Sequence, residues 1–376
     1  MLMNSEELIA RHLREMSPYT PIVPFDVLTK RLGLAREDIV KLDANENPYG
    51  PSPRALQALA SADTLHIYPD PDQTALREAV SSFIGIPKEH ILCGSGADEI
   101  IDLIGRAFVE SGNAIVDLPP TFGMYRFESD IVNAHYVSIP RGMDFSVDVP
   151  AIRDMVMRLA GTGENRPKLL FIANPNNPDG SMVGDDELCE LLNLPLVVVL
   201  DEAYIDFSSH PGHAAWVPRY SNLIVLRTFS KLAGLAGLRI GYGVFPLDII
   251  RHLWKIKQPY TPNVAGSIAA IAALDDPQYL RDTVRRLVDE RQRLGESLSN
   301  FNWLHVYPSE ANFLLCKVRE RAAGFINARN LKQSLEQRGI LVRYFDKDGL
   351  RDCIRISVGR PDDTDKVIAA LKSLSE

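Results

Sequence analysis

Leu223-Ile224-Val225-Leu226-Arg227-Thr228-Phe229-Ser230-Lys231 sets an apolar run directly before two hydroxyls and a lysine. Gly234-Leu235-Ala236-Gly237-Leu238-Arg239-Ile240-Gly241-Tyr242 follows, with Arg239 eight positions beyond Lys231. The apolar run reads as a buried strand, and ligands of open α/β sheets sit beyond the carboxyl ends of such strands. A lysine does covalent chemistry only as a neutral amine, so it needs a site that lowers its pKa. Hydroxyls, backbone amides and one arginine are what a phosphate monoester requires. Any single lysine is by default a solvated surface residue, so the weight of this stretch depends on what the rest of the chain supplies.

Outward from that stretch, the chain alternates apolar runs with helical patterns from about residue 90 to 245. The runs are Ile91-Leu92-Cys93, Ala114 to Leu118, Ala134 to Ile139, Lys168 to Ala173, Leu196 to Leu200, Leu223 to Leu226 and Gly241 to Val244. Near-continuous Val/Ile/Leu runs separated by helices predict a mostly parallel sheet covered on both faces. Gly94, Asn174, Asp201 and Thr228 fall at the carboxyl ends of those runs. Helical patterns follow at Val264 to Leu274 and Pro277 to Leu298. Beyond them come strands at Phe313 to Val318, Ile340 to Tyr344 and Cys353 to Val358, with helices at about Asn327 to Gln337 and from Asp363. That ending predicts a small α+β domain. Upstream, a helix is expected from Ser5 to about Arg14. Ser17-Pro18-Tyr19-Thr20-Pro21-Ile22-Val23-Pro24 reads as an extended arm, because its prolines forbid a helix. His66-Ile67-Tyr68-Pro69-Asp70-Pro71 reads as a loop leading into a helix over Asp72 to Phe83.

Composition narrows the function. A chain of 376 residues exceeds one typical core and predicts two domains. The expected division is 1–45 as N-terminal helix and arm, 46–275 as a large domain and 276–376 as a small one. Hydrophobic content of 45% and charged content of 24% are those of an ordinary globular protein. A net charge of −8 argues against a nucleic-acid partner. No apolar run is long enough to span a bilayer, and Met1 to Glu7 lacks the blocks of a signal peptide. Cys93, Cys189, Cys316 and Cys353 are scattered, which reads as reduced thiols of a cytoplasmic protein. The eight histidines show no HxH or HExxH pattern, so no metal is expected.

Other segments carry groups that a pyridine ring with a phosphate tail would use. Asp201-Glu202-Ala203-Tyr204 puts a carboxylate at the end of a buried strand, where it is costly unless a cation holds it ionised. A protonated pyridine nitrogen is such a cation, and a helix cap is the plain alternative. Tyr204 could donate its hydroxyl to a phenolic oxygen. Asn174-Pro175-Asn176-Asn177-Pro178-Asp179-Gly180 is a turn signal in which two prolines could fix an aimed amide. Gly94-Ser95-Gly96-Ala97-Asp98-Glu99 opens a helix whose free amides could bind phosphate, but Glu99 stands where a dinucleotide fingerprint has its third glycine. Phe122 in Pro119 to Tyr125 could stack on a planar ligand, and Tyr125 reads as core packing.

In content and order these segments resemble the fold-type-I pyridoxal-phosphate aminotransferases, and most closely the histidinol-phosphate aminotransferase family. The likeness runs over essentially the whole chain. It is carried by Pro18-Tyr19, Lys41 to Pro48, Tyr68-Pro69-Asp70, Gly96 to Glu99, Asn174 to Pro178, Asp201 to Tyr204, Ser230-Lys231, Leu235 to Arg239 and Leu350 to Gly359. The resemblance implies an α/β fold with a mostly parallel seven-stranded sheet sandwiched by helices, plus a small α+β domain. It implies that Lys231 forms a Schiff base with pyridoxal 5'-phosphate and then shuttles the substrate proton. It also implies that Asp201 pairs with the pyridine nitrogen, and that Tyr204 and Asn177 bond the phenolic oxygen. Phe122 would stack on the ring without the hydroxyl many relatives have there. Ala97, Asp98, Thr228, Ser230 and Arg239 would hold the phosphate, and Tyr68 would reach it from a neighbouring subunit. Asn45, Arg343 and Arg355 would contact substrate, with Tyr19 closing over the neighbour's pocket. The implied partners are a small-molecule amine, a 2-oxo acid and a second copy of the chain in a homodimer. The implied reaction is transamination of L-histidinol phosphate with 2-oxoglutarate.

Two departures stand out. Asp179 replaces the threonine usual after Asn-Pro-Asn-Asn-Pro, and Tyr19-Thr20-Pro21-Ile22 replaces Tyr-x-Pro-Gly. The nearest rivals on this fold are an aromatic or broad-range aminotransferase and a threonine-phosphate decarboxylase. A regulator that binds the cofactor without catalysis would carry a helix-turn-helix domain, for which the N-terminus has no room. A nicotinamide dehydrogenase would need the incomplete glycine pattern to outweigh everything else.

Overall fold

A computed structural model describes residues 5–19, 21, 23–162, 164–319 and 327–375. Twelve strands are formed among these. They are β1 (Val40–Leu42), β2 (Ile91–Gly94), β3 (Asn113–Asp117), β4 (His135–Ser138), β5 (Arg166–Ala173), β6 (Val197–Asp201), β7 (Leu223–Thr228), β8 (Gly241–Val244), β9 (Leu304–Val306), β10 (Phe313–Val318), β11 (Ile340–Tyr344) and β12 (Cys353–Ser357).

A seven-stranded sheet takes the order β2-β8-β7-β6-β5-β3-β4. Only β8 runs against its neighbours, β2 and β7. This is the mostly parallel sheet that the apolar runs predict. Both faces are apolar: Val198, Leu200 and Val225 enter one core layer, while Val199, Ile224 and Leu226 enter the other. Strands buried on both sides cannot alternate apolar with polar residues, which is why the runs are continuous. Reversal of the chain at β5, β6 and β7 leaves Asn174, Asp201 and Thr228 on one edge of the sheet.

A five-stranded sheet takes the order β1-β11-β12-β10-β9. Strand β1 comes from the N-terminal segment and pairs parallel with β11, Val40 opposite Ile340. The segment written as an arm therefore supplies a strand to the C-terminal layer. The helix expected over Ser5 to Arg14 is two short pieces, Ser5–Leu8 and Arg11–Arg14, and a further helix, Phe25–Leu32, follows the proline-rich stretch. Residues 1–4, Thr20 and Ile22 lie outside the described residues. The 23-residue helix Pro277–Ser299 links the two sheets. At their junction Tyr204, Phe207, Leu287, Phe313 and Val358 pack into one cluster. Tyr204 meets Phe313 edge-on, ring centroids 5.0 Å apart at 89°. Among the described residues no helix is long and apolar enough to cross a membrane.

Candidate active site

The carboxyl edge of the large sheet and the hairpin β11–β12 enclose a cleft of about 1540 Å³. Ala97, Asp98, Phe122, Asn177, Asp201, Tyr204, Thr228, Ser230, Lys231, Arg239, Asn45, Arg343, Arg355 and Tyr19 all line it.

Lys231 is presented by a turn that the sequence builds locally. Thr228 ends β7 and caps the short helix Phe229–Leu232, its hydroxyl accepting the Ser230 amide at 3.1 Å. From there the Lys231 Nζ donates to the Ala44 carbonyl at 3.1 Å. Burial, reinforced by the positive charge of Arg355, lowers its pKa from 10.5 to about 8. The same turn is fixed from below. Asn47 Nδ2 donates to the Lys231 and Leu232 carbonyls at 3.1 and 3.2 Å. Gly234 sits at φ +67°, and a Cβ there would lie 2.5 Å from the Gly50 carbonyl.

Asp201 closes β6, buried at 5% exposure. Burial pushes its carboxyl up to about 6, against the pull of hydrogen bonds from Tyr125 and Ala203. The Tyr125 hydroxyl donates to Oδ2 at 2.8 Å and the Ala203 amide to Oδ1 at 3.1 Å. No cation pairs with Asp201 among the described residues, whose bonds to it come from the Tyr125 hydroxyl and the Ala203 amide. Tyr125 is more than the core packing expected of it. Nothing in the local sequence separates a packed tyrosine from one whose hydroxyl meets a strand 76 residues away. Tyr204 accepts from Asn45 Nδ2 at 3.0 Å, and Asn45 is braced by Ser357, whose hydroxyl donates to its Oδ1 at 2.8 Å.

An anion cradle lies at the start of helix Ala97–Phe108. Gly96 has φ +83°, and a Cβ there would come within 2.5 Å of Arg239 Nη2. The Ala97 and Asp98 amides occupy the first helical turn, where backbone N–H groups have no carbonyl partner within the helix. Arg239 reaches the same place, Nη2 donating to Asp98 Oδ2 at 2.7 Å and Nη1 lying 3.5 Å from Ser230 Oγ. Glu99, the residue that breaks the dinucleotide pattern, turns its carboxylate back onto the Ser95 amide at 2.5 Å.

Across the cleft, β11 and β12 place Arg343 directly opposite Arg355. Like charges in register repel, and an anion held between them would relieve that repulsion. Arg355 is 6% exposed, and burial, with Arg343 adding to it, lowers its pKa to about 10. Its Nη1 donates to Asn177 Oδ1 at 2.6 Å and its Nη2 to the Asp43 carbonyl at 2.8 Å, while Nε is buried without a hydrogen-bond partner. Arg343 makes no hydrogen bond or ion pair with a described residue and lies over the Phe345 ring at 5.8 Å.

Three placements add detail to the expected roles. Tyr19 lines the cleft of its own chain, edge-on to Phe127 at 6.2 Å. Asn177 turns its oxygen to Arg355, leaving only its NH2 for a ligand. Tyr68 is outside the cleft, 77% exposed and stacked on Tyr260 at 4.4 Å.

A second polar cluster lies behind Asp201. His213 sits between Glu202 and Asp185, with Nδ1 and Nε2 each 3.0 Å from a carboxylate oxygen. Burial opposes charge on His213, but these two bonds outweigh it and raise its pKa. His210 Nε2 is 3.2 Å from the same Asp185 oxygen, and His210 Nδ1 accepts the Gly212 amide at 2.9 Å. That bond puts the His210 proton on Nε2, so both ring nitrogens facing Asp185 donate. Asp185, His210 and His213 are close enough together to hold a metal ion, and Glu202, which bonds His213, also pairs with Arg227 at 2.8 Å.

Residues 37–371 match the family described as aminotransferase class I and II. The chain is 48% identical over 367 residues to the chloroplastic histidinol-phosphate aminotransferase of Nicotiana tabacum, spanning 98% of this chain and 86% of that one. It is 50% identical over 373 residues to the histidinol-phosphate aminotransferase of Roseiflexus castenholzii, spanning 98% of each. The crystal structure of histidinol-phosphate aminotransferase from Sinorhizobium meliloti in complex with pyridoxal-5'-phosphate superposes with a TM-score of 0.86 at 28% identity, covering 97% of this chain and 98% of that one. With sequence, fold and cleft in agreement, this chain belongs to the class I and II aminotransferases, among the histidinol-phosphate aminotransferases.

Proposed function

We propose that the chain transfers the amino group of L-histidinol phosphate to 2-oxoglutarate, giving imidazole acetol phosphate and L-glutamate, in histidine biosynthesis. Pyridoxal 5'-phosphate is its cofactor. The residues present fit that group: a half-buried amine of lowered pKa, a buried carboxylate lacking a cation, and an anion cradle at Gly96 lie along one cleft. When bound, the cofactor supplies an electrophilic carbonyl and an electron-accepting ring.

The chain's own residues do the rest. Lys231 Nζ carries the proton to and from the substrate carbon, for which a pKa near the working pH is suited. Asp201 keeps the ring nitrogen protonated, and Tyr125 holds that carboxylate in place. The Tyr204 hydroxyl and the Asn177 NH2 would bond the phenolic oxygen, and Phe122 would cover the ring. The Ala97 and Asp98 amides, Thr228, Ser230 and Arg239 hold the cofactor phosphate. Arg343 and Arg355 grip the anionic end of the substrate, with Asn45 and Tyr19 beside them. The single observation that carries the phosphate-bearing amine is the Arg343–Arg355 register pair, two facing cations that together suit a dianion.

The active form is a homodimer. Leu65, Ile67, Tyr68 and Tyr260, exposed by 60, 55, 77 and 49%, make a patch suited to a second copy, from which Tyr68 would reach the neighbour's cofactor phosphate. Residues 46–275 form the large domain and 276–376 the small one, to which the segment 1–45 lends β1. The compartment is the cytoplasm, in keeping with four free cysteines, of which Cys93, Cys316 and Cys353 are buried.

Both half-reactions use one cleft, so ping-pong kinetics are expected. Spectral titration of the holoenzyme with histidinol phosphate, phenylalanine, tyrosine and threonine phosphate tests the substrate. Histidinol phosphate should convert the cofactor at the lowest concentration. Preference for an unphosphorylated amine, or loss of carbon dioxide from threonine phosphate, would replace this reading. Arg343→Ala should damage the histidinol-phosphate half-reaction more than the glutamate one, and equal damage would remove Arg343 from the phosphate site.

A further inference from the structure

Asp179, the acid that departs from the usual threonine, is buried at 1% exposure. Its Oδ1 accepts the Ser181 amide at 2.8 Å, and its Oδ2 accepts from the Asn176 side-chain NH2. Asn176, fully buried, joins the neighbouring loop with its other contacts. Its Nδ2 also donates to the Pro120 carbonyl at 3.1 Å, and its Oδ1 accepts from Thr121 Oγ1 at 2.7 Å, one residue before Phe122. One position further on, Asn177 receives Arg355. One carboxylate thus stands behind both the ring-facing loop and the substrate-facing arginine.

The counter-charge is Arg141, 8% exposed. Its Nε and Nη1 donate to the Leu118 and Phe145 carbonyls at 3.2 and 3.0 Å, and its amide to the Pro119 carbonyl at 2.8 Å. Its Nη2 is buried with no hydrogen-bond partner. Burial lowers the Arg141 pKa, and Asp179 is the foremost charge opposing that, ahead of Asp117. The pair makes no direct ion contact, so its attraction acts through the buried space between the two loops.

We propose that Asp179 is a positioning residue: balanced by buried Arg141, it locks the Asn176 amide in one orientation and so sets where Asn177 presents Arg355 to substrate. A carboxylate suits this because it only accepts. With Asp179 in place, the Asn176 NH2 faces Asp179 and Pro120, and its oxygen faces Thr121. An amide at position 179 has one oxygen for two donors, so its NH2 must oppose either the Asn176 NH2 or the Ser181 amide, and the lock on Asn176 is weakened. Threonine is shorter and uncharged, and it leaves the buried Arg141 without the foremost of the charges opposing its burial, with Asp117 next. The inference rests on Arg355 as the substrate-gripping group given above.

The test uses holoenzyme carrying Asp179→Asn, Asp179→Thr, or Asp179→Thr with Arg141→Gln. The last removes the unbalanced cation, so it remains folded where the single threonine variant does not. Kinetics are read well below each variant's unfolding midpoint. In folded variants the KM for L-glutamate should rise about 5- to 20-fold with kcat changed less than about 3-fold, since ground-state grip is lost more than chemistry. A merely structural role lowers the midpoint and leaves that KM within about 2-fold of the parent, which overturns the proposal. Glutamate serves as probe so that a wrong amine substrate, seen in the parent enzyme alone, stays distinguishable from a wrong role for Asp179.

Discussion

Cofactor-free protein should contain one lysine that loses its proton near pH 8. Burial, then Arg355, brings Lys231 from 10.5 to about 8. That difference is worth at most about 3.4 kcal/mol at 1.36 kcal/mol per unit, because the side chain is half-buried and water in the cleft screens part of it. At pH 7 about 9% of Lys231 would be neutral, against about 0.03% of an unperturbed lysine, roughly a 300-fold gain in reactive amine. Trace labelling of apoenzyme with an amine reagent across pH 6 to 11, read peptide by peptide by mass spectrometry, measures the midpoint directly. Arg355→Gln should move the midpoint upward, because it removes the second-largest cause. The sign also fixes a stability trend. Between about 8 and 10.5 the unfolded chain holds a proton on this lysine that the folded one has released, so apoenzyme gains stability as pH rises through that window. A Lys231 midpoint at or above 10, or one unmoved by Arg355→Gln, would refute the reasoning.

Four further outcomes are expected. Asp201→Asn should slow the amine half-reaction roughly 10²- to 10³-fold in stopped-flow absorbance, since the charge facing the ring is lost; a change below about 5-fold would contradict it. Glu128 is raised from 4.5 to about 7 by burial, with Asp102 adding to it, so its native form keeps a proton that the unfolded chain releases between those values. Glu128→Gln should therefore stabilise by up to about 3 kcal/mol at pH 8 and by nothing below pH 4 in denaturant melts. Gly234→Ala should cost roughly 1–3 kcal/mol, because it meets both a positive φ and the Gly50 backbone, and should weaken cofactor retention on dialysis. Ile67→Asp should shift sedimentation toward monomer and reduce activity with it.

How much of this was legible in the chain follows from physics. The strands β2 to β8 were readable because strands buried on both faces must be continuously apolar, and the groups at their ends followed from chain reversal at the sheet edge. Strand β1 was not, because Val40-Lys41-Leu42 is three residues long and acquires its identity only by pairing with β11. The break in the first helix was hidden for a similar reason, since no residue of Ser5–Leu8 or Arg11–Arg14 is buried and no apolar stripe registers it. At the site, the residues the motifs single out line one cleft, Tyr68 excepted. Their supports were missed. Tyr125 under Asp201 and Arg141 near Asp179 are separated from their partners by 76 and 38 positions, and only the fold closes those gaps. Asp179 was noticed as a departure, but its charge acquires meaning only beside a buried guanidinium.

The most direct measurement is peptide mass spectrometry of borohydride-reduced, cofactor-loaded enzyme. A phosphopyridoxyl mass on the peptide containing Lys231, together with loss of the visible absorbance in Lys231→Ala, is the predicted result. The adduct on another lysine, or no stable adduct with full occupancy of the cleft, would contradict the account.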